Sequence, residues 1–127
     1  MFHPKYTSFL IFLNILHSLY NELYIMTILQ FFVLITSIIY HHNLIPNFRN
    51  FDILISNSVI LYHFYLYYYY ISYEYYNLLP CIFYMLAIGS YIAGRLYNDD
   101  IYHGYLHIYG VIANIMLNNC LVCNIIL

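Results

Sequence analysis

The sequence predicts an all-α membrane protein: a polytopic bundle of about five transmembrane helices forming one domain over residues 1–127. Three observations predict it. The chain is 65% hydrophobic and only 6% charged, where a soluble domain carries about 25% charged residues and needs them for a wettable surface. Mean hydropathy is +0.73, and apolar runs of bilayer length recur along the chain with short polar breaks between them. Those runs are unbroken rather than alternating, so in lipid, where each backbone group must bond within the protein, they fold as helices and not as barrel strands.

The first span covers Tyr6–Tyr20 and is short, interrupted by Asn14 and His17. No basic arm followed by a small-residue cleavage site precedes it, so it reads as a retained segment. The second span covers Leu23–His41, the third Phe51–Ser72 and the fourth Leu78–Leu96; the fifth runs from Ile101 to Cys123 or the chain end. Connections are short, which makes sequential neighbours antiparallel. No linker or low-complexity tail divides the chain, and a net charge of −2 offers nothing to nucleic acid.

Antiparallel order sorts the polar residues between two membrane faces. Let the second helix end at a near face. His41, the loop to Arg49, and Asp52 then lie there. The third helix descends, the fourth returns to end at Arg95–Asp100, and the fifth starts on the near face with His103 and His107 in its first two turns. Lys5, Arg49 and Arg95 are all the Lys and Arg present, and all three fall on this near face. The positive-inside rule then places it, with the N-terminus, in the cytoplasm. The far face has another character: nine tyrosines lie between Tyr62 and Tyr76, which reads as an interfacial aromatic belt. Glu22 and Glu74 sit on that face as solvated charges.

Parity thus brings four separated polar residues to one level, and ionisable residues inside a membrane are functional candidates by default. His103 and His107, four apart, present their imidazoles side by side on one helical face, which suits a shared ion. His41 from another helix completes a three-nitrogen set with an open fourth position, the arrangement of catalytic zinc. Such an ion lowers the pKa of its water to about 7. Asp52 is the carboxylate placed to orient or deprotonate that water. Ser37 shares the His41 face one turn deeper and can donate a hydrogen bond to a developing oxyanion. Each residue alone has a plainer reading: histidines in the headgroup layer, Ser37 as a helix-packing residue, Asp52 as a first-turn carboxylate answering the helix dipole. Their convergence favours the metal.

These residues resemble a family. Ser37-Ile38-Ile39-Tyr40-His41 closing one membrane helix, Asp52 opening the next, and Tyr102-His103-Gly104-Tyr105-Leu106-His107 on the last are similar to the alkaline ceramidase and adiponectin-receptor superfamily, which includes the haemolysin III-like proteins. The resemblance implies that His41, His103 and His107 ligate zinc, with Ser37 and Asp52 beside the metal-bound water. Members of known chemistry are amide hydrolases acting on ceramides, and some are receptors. The family has seven helices where five are expected here. The missing pair would fall between the Asp52 helix and the His103–His107 helix, which preserves orientation and narrows the lipid cavity. The acidic residue usual in the family's first helix has no counterpart, since Glu22 begins the Ser37–His41 helix at the opposite face.

The expected activity is zinc-dependent hydrolysis of an amide or ester in a membrane lipid, ceramide-like, entering from the bilayer. Two other readings stand beside it: a non-enzymatic small subunit of a larger membrane complex, for example a respiratory one, and a structural or receptor-like zinc protein without turnover. Remaining candidates carry less. Cys120 and Cys123 form a C-x-x-C inside an apolar helix with no second pair, which reads as packing, although Cys81 lies at the same level for a disulfide if that side is a lumen. His42 points about 100° away from His41 and reads as a loop residue. His63 reads as a buried, hydrogen-bonded histidine. Bis-histidine haem needs opposed ligands, whereas histidines on one face suit a small ion.

Overall fold

A computed structural model describes residues 4–70 and 78–126. The described residues are helical apart from short connections, with no strand among them. Helix α1 is Pro4–Thr7, followed by a 3-10 turn at Ser8–Leu10. The longer helices are α2 (Ile11–Tyr20), α3 (Tyr24–His41), α4 (Arg49–Tyr70), α5 (Leu79–Tyr97) and α6 (Asp100–Ile126). The end of the expected third span at Ser72, and Glu74 with Tyr73, Tyr75 and Tyr76 of the expected belt, lie outside the described residues.

The bundle is inverted relative to a soluble protein. Asn14, Gln30, Ser37, Asp52, His63 and Asn118 are all buried, whereas Leu13, Ile25, Phe31, Leu61, Met85 and Ile92 are exposed. Lipid tails are as apolar as leucine, so nothing drives those large residues inward. The interior is instead selected by close approach and by hydrogen bonding between helices. Each long helix buries one stripe at three- and four-residue steps, and that stripe carries the polar residues. It reads Met26, Gln30, Leu34 and Ser37 on α3; Asp52, Val59, His63 and Leu66 on α4; and Pro80, Tyr84 and Ala87 on α5. On α6 it reads His107, Val111, Asn114, Leu117 or Asn118, and Leu121. A 3.6-residue period places such positions on one face.

Helix α6 runs through the middle of the bundle. Its Ala113, Leu117 and Leu121 form one apolar cluster with Met26 of α3, Leu66 of α4 and Tyr84 of α5. Its Val111 joins a second with Ile11 and Ile15 of α2 and Leu34 of α3. Contacts along the bundle follow the expected alternation. His42, just after α3, faces Phe9 before α2, with ring centroids 6.0 Å apart. At the other end, Asn118 of α6 donates to Ser18 of α2 at 3.0 Å.

The expected count of about five spans is met in part. Among the described residues, three helices are long and apolar enough to cross a membrane: Tyr24–His41, Leu79–Tyr97 and the Asp100–Cys123 part of α6. The other two expected spans form helices but do not count among these, for different reasons. Helix α2 has 10 residues, about 15 Å of rise against a hydrocarbon core of about 30 Å. Helix α4 has 22 residues, which is long enough. Its Asp52, Asn57, His63 and clustered tyrosines make it too polar to count by composition.

Two tight connections set the near end. Asn43 and Asn47, at φ 53° and 60°, take left-handed backbone in the α3–α4 loop, a conformation that asparagine tolerates better than most residues. Helix α5 ends at Asn98, also left-handed at φ 51°, and Asp99 Oδ1 immediately accepts from the Ile101 N–H at 2.9 Å, capping α6 in the usual way. Gly94 makes this reversal possible. A Cβ there would lie 3.3 Å from Tyr102 Cβ and 3.4 Å from the Asp99 carbonyl oxygen, so a side chain would push the start of α6 away. That start carries His103.

Candidate metal centre

His41 is the last residue of α3 and continues the inward stripe of Ser37, Leu34 and Gln30. His103 and His107 occupy the first two turns of α6, on the stripe that continues to Val111 and Asn114. Antiparallel packing therefore brings the three imidazoles together, as their sequence spacing and helix parity predict. Their ring centroids lie 4.7 Å (His41–His103), 5.3 Å (His41–His107) and 5.2 Å (His103–His107) apart. One ring nitrogen from each lies within 4.8 Å of those of the other two. The three could hold a metal ion.

One distance in the donor set fits a shared, tetrahedrally bound metal ion. Nε2 of His107 and Nε2 of His41 are 3.3 Å apart. Two nitrogens bound to one tetrahedral ion at 2.0–2.1 Å would themselves lie about 3.3 Å apart. A lone proton can bridge one such pair only, whereas a cation answers three nitrogen lone pairs at once. His107 is 8% exposed and lines a cavity.

Asp52 lies in the first turn of α4 and is 4% exposed. Thr36 of α3 stands beside it, while the Thr36 hydroxyl donates to the Val33 carbonyl at 3.2 Å. Asp52 Oδ1 is buried without a hydrogen-bond partner. A carboxylate oxygen in that condition is expensive unless something comes to it. Asp52, His103 and His107 all line one cavity of about 340 Å³, so the orphaned oxygen and two of the histidines share a space. Ser37 is 1% exposed on α3, one turn from His41, and is not among the residues lining that cavity.

A second cavity, of about 380 Å³, opens on the near end. It is lined by Tyr40, Arg49, Arg95, Asp99, Asp100 and His103, among others. The α3–α4 and α5–α6 connections thus meet at one end of the bundle, as parity requires. His103, Ile53 and Tyr91 line both cavities, so His103 stands between a polar mouth and a mainly apolar interior.

The deep end of the first cavity holds residues that sequence reasoning passed over. Gln30 Nε2 lies 3.4 Å from His63 Nε2, Tyr84 Oη lies 2.7 Å from His63 Nδ1, and Tyr84 donates to Asn114 Oδ1 at 2.6 Å. His63 is the buried, hydrogen-bonded histidine its position predicts. Gln30 and Asn114 had a signal too: each stands on the buried stripe of its helix, where a polar residue must find a partner in the bundle. The remaining candidates resolve simply. His42 follows α3 outside the histidine cluster, and Cys81, Cys120 and Cys123 form no disulfide.

No family model, curated protein or solved structure matches the chain. Its functional reading rests on the geometry above.

Proposed function

We propose that this chain is a zinc-dependent intramembrane hydrolase of lipid amides or esters, acting on a ceramide-like substrate as its resemblance to the alkaline ceramidases implies. The observation that supports it is that His103 and His107 of the three-histidine cluster line the same cavity as Asp52, whose Oδ1 is unpartnered. Zinc bound by the three histidines would polarise a carbonyl and acidify a water. The three imidazoles would hold the ion beside His103, which lines both the polar mouth and the apolar interior, where the headgroup side of an amphiphile meets its chain. Asp52 Oδ1 accepts the proton of the attacking water as general base, and its burial keeps bulk water from competing for it. Ser37, one turn below His41 but outside the cavity lining, would donate to the developing oxyanion only if the α3 face turns or the substrate displaces a neighbour. Walls of Val59, Ile60, Ala87 and Ile88 take the chain.

All three basic residues fall at the near end in this reading, so the histidine cluster and the N-terminus face the cytoplasm. Single-cysteine variants at Asn47 and Asn98, in an otherwise cysteine-free chain, should label from the same side; opposite labelling would overturn the topology. For the activity, zinc stoichiometry by mass spectrometry and turnover of a short-chain fluorescent ceramide should both be positive in nanodiscs. Zinc without turnover on ceramides or related amides and esters would shift the reading to a structural or receptor-like metal protein. Neither zinc nor turnover would leave a non-enzymatic membrane subunit.

A further inference from the structure

We propose that the deep end of the cavity is a second recognition site, which binds a hydroxyl carried on the chain of a single-chain amphiphile whose other polar end lies at the histidines. This deepens the hydrolase reading and rests on it only for what happens at the histidine end.

The deep site sits far from the first. Asn114 is seven residues below His107 on α6 and Gln30 eleven below His41 on α3, which places them about 10 and 16 Å deeper along their helices. That is near the middle of a hydrocarbon core of about 30 Å. Between the two ends the cavity wall is mainly apolar, with Val59, Ile60, Ala87, Ile88 and Leu106, and its polar breaks, Ser56 and Asn57, lie toward the Asp52 end of α4. A ligand spanning both ends is therefore polar, then apolar, then polar again. A cavity of about 340 Å³ stands at the small end of ligand sites and suits one chain.

Proton counting says which group the deep end lacks. Tyr84 has one hydroxyl proton and gives it to Asn114 Oδ1 at 2.6 Å. At 2.7 Å from His63 Nδ1 its oxygen must then accept, so His63 carries its proton on Nδ1. His63 Nε2 is left as an acceptor, and the Gln30 amide donates to it at 3.4 Å. The direction of the chain is settled from Gln30 to Asn114. At its end the Asn114 NH2 makes no hydrogen bond among the described residues. On the same cavity lies Asn14 of α2, 1% exposed, whose Oδ1 is buried without a partner. The cavity thus offers one unpaired donor and, from another helix, one buried unpaired acceptor at membrane depth, where unanswered polar groups are costly. A hydroxyl both donates and accepts.

The probes are ω-hydroxydecanoic acid and decanoic acid, competing with radiolabelled decanoic acid for the purified full chain in detergent, with zinc and with EDTA. The hydroxy acid should compete about tenfold better in both conditions, as one or two net hydrogen bonds allow. Asn14→Leu, and independently Asn114→Asp, which keeps the oxygen that Tyr84 needs, should bring the two acids to near equality while decanoic acid still binds. His41→Ala should weaken both acids alike and keep their ratio. Equal competition in the wild type, a preference untouched by both asparagine variants, or no binding of either acid would each overturn the proposal. A preserved hydroxyl preference in a chain that holds no zinc would overturn the hydrolase reading and leave this one standing.

Discussion

Two buried histidines in the same cavity wall do opposite things. His63 is 1% exposed and His107 8%; both lie on inward stripes and both line the cavity. Each nitrogen of His63 has a partner of the complementary kind, one to give its proton to and one to receive from. No lone pair is left for a metal. The partner of His107 is another imidazole at 3.3 Å, with a third beside it. Burial alone therefore does not mark a metal ligand in a membrane. What marks it is convergence of acceptors that cannot all be satisfied by protons.

The largest effect that would break this contrast comes from the histidines themselves. His41→Ala or His107→Ala leaves two nitrogens where a structural or catalytic zinc site needs at least three protein ligands. Zinc content should fall to background and turnover should vanish with it. Zinc retained in both variants would mean the ion, if present, sits elsewhere.

Much of this contrast is legible in the sequence. His41 and the His103–His107 pair fall at one level because the apolar runs pack as alternating antiparallel helices, and α4 keeps that alternation by running the length of a span between α3 and α5. Helix α4 shows why the count itself is harder. Its length is that of a span, but Asp52, Asn57, His63 and its tyrosines dilute its hydropathy. The α5–α6 reversal is readable in Asn98-Asp99 as a turn, whereas the need for Gly94 depends on how near Tyr102 comes. The Gln30–His63–Tyr84–Asn114 chain is the part least readable. Its four members come from four helices, and no spacing along the sequence relates them.

Asp52→Asn should produce the next largest effect. The substitution keeps the size of the side chain and removes the group proposed as base. A lost general base costs on the order of 10²–10⁴ in rate, while zinc content should stay near that of the wild type because Asp52 is not among the clustered ligands. Loss of zinc in this variant would make Asp52 a ligand instead. His63→Leu then tests the other side of the comparison. It should leave metal content unchanged and lower resistance to thermal unfolding by about 1–2 kcal/mol, the range for hydrogen bonds between membrane helices. A fall in metal content would tie the two clusters together and end the distinction drawn between them.

Ser37→Ala is the smallest effect and the sharpest test of how far the metal end extends. Ser37 shares the His41 face of α3, and a donor to an oxyanion normally contributes 10²–10³ in rate. Yet it is fully buried and stands outside the cavity lining, so a reacting carbonyl reaches it only if the α3 face turns or the substrate displaces a neighbour. The hydroxyl otherwise serves close helix packing, which alanine serves nearly as well. We expect zinc content unchanged and a rate loss of less than about tenfold, with Ser37→Thr no better than alanine because the added methyl has no room. The comparison to make is turnover against metal content for the two variants on one ceramide probe. A loss of a hundredfold or more with zinc intact would place the Ser37 hydroxyl at the reacting carbonyl, and α3 would then have to move for catalysis.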